Sequence, residues 1–218
     1  MKSFLRAVMV LACTLSCFGA SSEITPTLSF TFDFPGSEPS HYVISIAGDG
    51  KASYDSNGKL MAESEPDSNF RLEFVASQET RTRMFELVKK AKYLQGQIDS
   101  KKQGLASTGV KTLVYTDGNT NTRATYNYSP VNAVQQLTDL FQSMSSTLEY
   151  GRRLEYFHRY QKLALDEELK RMDGQSMHGQ LVELSAIAPV LRGIVDDPSV
   201  IKVVRSRAQR LLAAGAGQ

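Results

Sequence analysis

The strictest constraint in this chain is a period of two. From Leu28 to Phe34, Phe30, Phe32 and Phe34 fall on one side of an extended backbone and Ser29, Thr31 and Asp33 on the other, because successive strand side chains point to opposite faces. A strand of this kind has one apolar face that must be covered. The alternation returns at Phe70, Leu72 and Phe74 against Arg71, Glu73 and Val75. Between the two lie a turn cluster (Pro35, Gly36, Ser37, Pro39, Ser40) and a β-branched and aromatic stretch from Tyr42 to Ala47. Gly48, Asp49 and Gly50 then supply a hairpin turn into Ala52 to Asp55. Ser56 to Ser68 reads as polar loop. One-faced strands call for helices on that face.

The covering helices are legible from caps and from spacing. Ser77 can accept from the first turn of a helix whose apolar residues Met84, Phe85, Val88 and Ala91 recur at three and four, and it is expected to end near Tyr93. A second hairpin follows, Val110 to Tyr115 and Arg123 to Tyr128 about a turn at Asp117 and Gly118. Ser129 with Pro130 at the first helical position opens the next helix. Hairpin and Ser-capped helix therefore occur twice, a weak internal repeat of pattern rather than of residues.

After Ser129 the chain reads as helical. Val131, Val134, Leu137, Phe141, Met144 and Leu148 make one stripe that Leu154, Phe157, Leu165, Leu169 and Met172 continue. Only Gly151 interrupts it, so the spacing predicts one helix from Val131 to about Met172, bent near Gly151 and stopping at Asp173 and Gly174. At 1.5 Å per residue it would run roughly 60 Å, longer than a small sheet can cover. Its second half needs another surface. Helices from Leu181 to Val195 and from Pro198 to Ala214, the last capped by Asp197, are expected to fold back and bury that stripe. Left exposed, the stripe would become a dimer or partner contact. The expected fold class is α+β: an antiparallel sheet covered by helices on one face over residues 26 to 150, then a largely helical C-terminal region from 151 to 218.

The first residues point to export. Lys2 and Arg6 precede an apolar run from Ala7 to Phe18 that Gly19, Ala20, Ser21 and Ser22 close, the three-part plan of a signal peptide over residues 1 to 20. The run is shorter than the roughly 20 apolar residues a membrane span requires. Cleavage after Gly19 or Ser21 fits better than after Ala20, which would place bulky Phe18 three residues back. Cys13 and Cys17 both lie in this segment, so the mature protein would contain no thiol. A lipid anchor on Cys13 is the minority alternative, disfavoured by the bulky Leu11 before Ala12. The chain has 25 Lys plus Arg and 23 Asp plus Glu; without Lys2 and Arg6 the balance is 23 against 23. A neutral exported protein is not expected to bind nucleic acid.

No set of side chains converges on a known chemistry, and no catalytic, cofactor-binding or metal-ligating residue is assigned. His41, His158 and His178 stand apart, without the neighbouring orienter that catalysis needs. Asp117, Asn119 and Asn121 match the first positions of a calcium loop, but Thr122 stands where glycine is required and Tyr128 where a bidentate glutamate is required. Ser199 and Lys202 have the Ser-x-x-Lys spacing of some acyl-enzymes without their companion motifs. Arg152, Arg153, Tyr156, Arg159, Tyr160 and Lys162 interleave charge and rings, read here as a solvated face with partly buried tyrosines. Lys202, Arg205, Arg207 and Arg210 complement the negative end of the last helix.

Two resemblances follow from these residues. Val190, Leu191, Ile194, Asp197-Pro198, Val204-Arg205 and Ala208 look like a single HEAT-type helical hairpin, which implies paired-helix packing only. More widely, Tyr42-Val43-Ile44-Ser45-Ile46, the Gly48-Asp49-Gly50 turn, Tyr54, the helix from Met84 to Ala91 and Lys111-Thr112-Leu113 resemble a group of uncharacterised secreted bacterial proteins with a hairpin, a helix, a second hairpin and a helical C-terminal region. That resemblance implies architecture and carries no site. The expected function is a non-enzymatic protein of the envelope or extracellular space that binds an unidentified protein or envelope partner, with no cofactor. The alternative is a hydrolase of an envelope polymer using Asp49, Asp55 or Asp117.

Overall fold

The computed structural model describes residues 25–60 and 70–216; the expected signal segment, with Cys13 and Cys17, lies outside them, as does most of the loop expected from Ser56 to Ser68. Six strands form one antiparallel sheet: β1 Thr27–Asp33, β2 His41–Ala47, β3 Lys51–Ser56, β4 Phe70–Val75, β5 Val110–Asp117 and β6 Thr120–Tyr126, in the order β4-β3-β2-β1-β5-β6. Five helices accompany it: α1 Gln78–Lys90, α2 Asn132–Tyr160, α3 Leu165–Met177, α4 Ala188–Asp196 and α5 Lys202–Gly215. The fold is α+β, with its helices concentrated in the C-terminal part. No helix among the described residues is long and apolar enough to cross a membrane.

Register turns the alternating pattern into rows across the sheet. Ala124, Leu113, Phe30, Ile44, Tyr54 and Leu72 lie side by side on the six strands. Leu113, Phe30, Ile44 and Tyr54 are fully buried, while Leu72 on the edge strand is partly covered and packs against the same core. Helix α2 lies over this face. Its Phe141 ring stacks on Phe30 at 4.9 Å, Thr138 meets Tyr126 on β6, and Arg152 sits over Phe70 on β4. From Thr138 to Arg152 the helix rises about 21 Å, close to the roughly 24 Å spanned by six strands. One helix therefore crosses the whole sheet. The opposite face, with Ser29, Thr31, Ser45 and Ser53, is half-exposed, as the polar half of the alternation requires.

Several helix boundaries differ from the sequence expectation. Ser77 caps α1 as expected, its Oγ accepting from the Thr80 amide at 3.2 Å, but α1 stops at Lys90 and a 3₁₀ turn, Lys92–Leu94, follows. Pro130 is not the first helical residue; α2 starts at Asn132, and Ser129 Oγ accepts from the Val131 amide just before it. Helix α2 passes through Gly151 unbroken and across the division expected at residue 150. It does not reach Met172. The chain leaves the helix at Gln161 (φ −144°, ψ 58°), makes a 3₁₀ turn at Lys162–Ala164 and restarts as α3. No glycine or proline marks that break; it is tertiary in origin, since Lys162 is held by Asp197 and Ser199 across 35 and 37 residues. Helix α3 then continues through Gly174 to Met177, the glycine being a tolerable weakness of about 1 kcal/mol. The helix expected from Leu181 is a 3₁₀ turn, Leu184–Ile187, followed by α4. Asp197 does not cap α5, which starts after Ile201.

The C-terminal helices do fold back. Leu154, Leu165 and Leu169 are fully buried, Phe157 nearly so, and both segments join one core with the sheet. The apolar stripe is thus spent inside the chain.

Gly151 has a packing reason. A Cβ there would lie 2.3 Å from Ile187 Cγ2, so the glycine lets the 3₁₀ turn press onto α2. Gly151→Ala is expected to destabilise by about 1–3 kcal/mol through overpacking despite its better helix propensity. Adding Ile187→Ala should recover part of that loss, so that the double variant costs less than the sum of the singles in chemical denaturation. Simple additivity would show that the close approach is not the reason for the glycine.

Candidate functional site

The third row of the covered face differs from the other two. It runs Tyr126, Lys111, Phe32, Tyr42, Ser56 and Phe70, and four of its six side chains carry a polar group. It lies at the end of the strands, beneath the flank of α2 rather than under its centre. At this flank a groove follows the helix as three adjoining cavities of about 340, 310 and 680 Å³. The first two share Gln142; the last two share Glu38, Tyr150 and Arg153. On the helix side, Gln135, Thr138, Asp139, Gln142, Ser145, Ser146, Glu149, Tyr150, Arg153, Phe157 and Gln161 line it, a stripe at the three-and-four spacing of one helix face. Gln135 to Phe157, the last of these inside α2, corresponds to about 33 Å of helix. The far wall comes from Asn127 and Tyr128 after β6, Ser37 to Pro39 between β1 and β2, Lys59 and Leu60 after β3, and Glu168, Arg171 and Gln175 of α3.

The floor is a closed polar network. Glu149, 4% exposed, accepts from Tyr54 Oη at 2.8 Å and from Ser56 Oγ at 2.6 Å. Tyr54 Oη also meets Ser145 Oγ at 3.0 Å. Arg152 lies 3.8 Å from the Glu149 carboxylate, donates to the Gly58 carbonyl at 2.8 Å and stacks 4.5 Å from the Phe70 centroid. Gly58 must be glycine, because a Cβ would stand 2.7 Å from Glu149 Oε2. A buried carboxylate is tolerable only with this degree of satisfaction. Toward α3, Glu168, 1% exposed, is clasped by Arg153 Nε at 2.6 Å and by Arg171. At the other end Lys111 Nζ sits among oxygens of Thr108, Gly109 and Asn127 at 2.9–3.1 Å, and burial lowers its pKa.

Burial also fixes the phenols. It pushes Tyr126 up to about 12 and Tyr42 further above the ordinary phenol value; Tyr54 is raised first by burial and then by the Glu149 charge. All three are hydroxyl donors at neutral pH. Cations and acids along the groove balance: Lys59, Lys111, Arg153 and Arg171 against Glu38, Asp139, Glu149 and Glu168. The carboxamides of Gln142 and Gln175 carry no hydrogen bond among the described residues.

The motifs singled out in the sequence lie elsewhere. Asp49 holds the β2–β3 turn and pairs with Lys51; Asp55 pairs with Arg71 on the open face; Asp117 accepts from Tyr115 Oη and from the Asn119 and Thr120 amides of its own hairpin. The three do not share a cleft. Asp117, Asn119 and Asn121 form a plain turn, and no cluster of three His, Cys, Asp or Glu among the described residues could hold a metal. His41 pairs with Asp33, and His178 with the Gly174 carbonyl. Ser199 is joined to Lys162, not Lys202: Lys162 Nζ donates to Ser199 Oγ at 2.6 Å and to Asp197 Oδ2 at 2.6 Å, Ser199 Oγ donates to Asp197 Oδ1 at 2.6 Å, and His158 Nε2 lies 2.9 Å from Asp197. Lys162, followed by Ser199 and His158, holds the Asp197 carboxyl far below the usual range. This clasp joins the end of α2 to the α4–α5 turn.

Arg152 is the clearest departure from the sequence expectation. It was expected on a solvated face and is 7% exposed. Glu149 escaped notice altogether, although its position three residues before Arg152 and one turn after Ser145, beside the stripe residue Leu148, places these polar groups at the edge of the buried face.

Glu149→Ala is expected to cost about 2–5 kcal/mol, since it leaves the buried hydroxyls of Tyr54 and Ser56 without this acceptor and removes the carboxylate beside Arg152. Urea denaturation measures it, and a loss under 1 kcal/mol would mean that the network contributes little. The phenols set the alkaline limit. Above about pH 10 the unfolded chain loses tyrosyl protons that folded Tyr42, Tyr54 and Tyr126 retain, so the folded state binds more protons and stability falls as pH rises from about 10 to 12. The slope is up to about 1.4 kcal/mol per pH unit for each phenol. Denaturation midpoints recorded with phenolate absorbance across that window check it; a flat stability profile would contradict it.

No protein-family model and no curated protein matches this chain, so the chemistry of the groove is read from its own geometry.

Proposed function

We propose that this chain is an exported protein of the cell envelope or extracellular space that binds an extended macromolecular partner in the α2 groove without acting on it chemically. The observation that carries the reading is the groove's shape and lining: a long open channel along about 33 Å of one helix face, floored by the Glu149 network and lined in its middle by the carboxamides of Gln142 and Gln175, which make no hydrogen bond among the described residues. Compact ligands are usually held in deep, enclosed pockets; a long, open channel suits a chain. Export is supported by the charged, apolar and small-residue plan of residues 1 to 22. The equal count of acids and bases after that segment supports a partner other than nucleic acid.

Affinity capture tests the reading. Immobilised protein is exposed to native envelope and medium fractions, beside a variant in which Ser146→Trp fills the channel from its exposed rim. A macromolecule retained by the first and depleted at least about tenfold by the second is expected. Identical retention by both proteins would place the binding surface elsewhere.

A further inference from the structure

We propose that the α2 groove takes a neutral, hydroxyl-rich glycan strand, an inference that rests on the binding reading above and adds the chemistry of the ligand. Three observations lead to it. The side chains lining the groove carry no excess of either sign, four cations against four acids, with the buried Arg152 beside Glu149 as a further cation, and Glu168 is shared by Arg153 and Arg171. A polyanion or a polycation would be repelled as much as attracted along its length.

The hydrogen-bonding groups match hydroxyls. A carboxamide presents a donor and an acceptor on one planar head, and Gln142 and Gln175 line the same cavity with neither head hydrogen-bonded among the described residues. A sugar hydroxyl is likewise donor and acceptor at once, so one carboxamide can serve two neighbouring hydroxyls of a ring. At one end of the channel the Tyr128 ring, 48% exposed, lines the wall and offers the apolar face on which a pyranose can rest.

The groove also lacks what a peptide uses. It runs across the ends of β1, β3 and β6 rather than along an edge strand, so no strand can be added to the sheet, and its middle cavity presents hydroxyls and a carboxylate where an amphipathic helix would need an apolar floor.

Calorimetric titration with linear, uncharged oligosaccharides of increasing length, built from β-linked glucose, α-linked glucose and β-linked N-acetylglucosamine, tests the proposal on the folded protein. At least one series should bind, more tightly as the chain lengthens, and with less than about threefold change between low and high salt. Gln142→Ala combined with Gln175→Ala should weaken it about tenfold. Ser146→Trp, or Gln142→Trp as a second blocking variant, should abolish it, while Ser45→Ala on the open sheet face should leave it unchanged; thermal unfolding verifies that each variant is folded. Should no oligosaccharide bind while a polypeptide or a charged polymer is captured and then lost on Ser146→Trp, the glycan assignment is wrong and the groove remains the binding site. If the blocking variants alter no retention of any kind, both readings fall.

Discussion

Burial of the Glu149 carboxylate is the constraint on which the arrangement of sheet and helix depends. A charge removed from water needs compensation close by, and here it comes from three separate segments: Tyr54 and Ser56 of β3, Arg152 one turn along α2, and, through Arg152, the Gly58 carbonyl. Apolar contacts between α2 and the sheet are tolerant of small slides, because any Leu or Phe accepts a neighbour of similar volume. Directional bonds to a buried ion are not. The network therefore sets the position of α2 along the sheet, and the stacked pair Phe30 and Phe141 then fills the space that this position leaves.

A second set of ionic joints governs the C-terminal helices. Asp166 with Arg207 and Asp173 with Arg210 tie α3 to α5, and the Asp197 clasp ties the α4–α5 turn to the end of α2. Exposed pairs of this kind contribute little individually. Their effect is geometric, in that they choose where α2 ends. Glu183 is a different case: fully buried, in a left-handed conformation (φ 66°), its Oε1 accepts from the Ser77 amide at the start of α1 and from Ser185, while its Oε2 has no hydrogen-bond partner among the described residues. Strain at a non-glycine residue persists only when surroundings over-determine it, and a carboxylate against a helix N-terminus is a favourable partner. That contact locks the last third of the chain to the first helix of the sheet unit.

What could be read in the sequence was whatever depends on periodicity and turn chemistry. Phe30 and Phe32 mark the covered face, Gly48 to Gly50 and Gly118 mark the hairpins, and Ser77 marks the start of α1, because each is a local preference satisfied locally. The break at Gln161 was illegible for the opposite reason: its residues favour helix, and the Lys162 contacts that end it lie 35 and 37 residues away. Gly151 carries a second meaning that its spacing does not show. The helix runs on through it as the stripe predicts, and the missing Cβ makes room for Ile187. The groove was hidden because it is the product of two registers, that of α2 on the sheet and that of α3 on α2. Neither has a signature in spacing alone. The nearest clue was the coincidence of Ser145, Glu149 and Arg152 on one flank of an otherwise apolar stripe.

The location of the groove follows from the same register. A helix that crosses a sheet covers the middle of the strands best, and residues near the strand ends lie under its flank. In this chain the central row is apolar and the end row carries Tyr42, Tyr126, Ser56 and Lys111, so the helix seals the first and overhangs the second. Tyr126 and Ser56 of that row find partners on α2 at Thr138 and Glu149, and Tyr54 of the neighbouring row reaches Ser145 and Glu149, which fixes the floor without filling the space beside it. Had the end row been apolar, α3 could have closed over it as it closes over Leu154 and Phe157. A polar row at the strand ends thus does two things at once: it anchors the helix through buried hydrogen bonds and it keeps one side of that helix from being packed shut. The open channel is the geometric cost of fixing α2 with a buried carboxylate instead of with a wider apolar face.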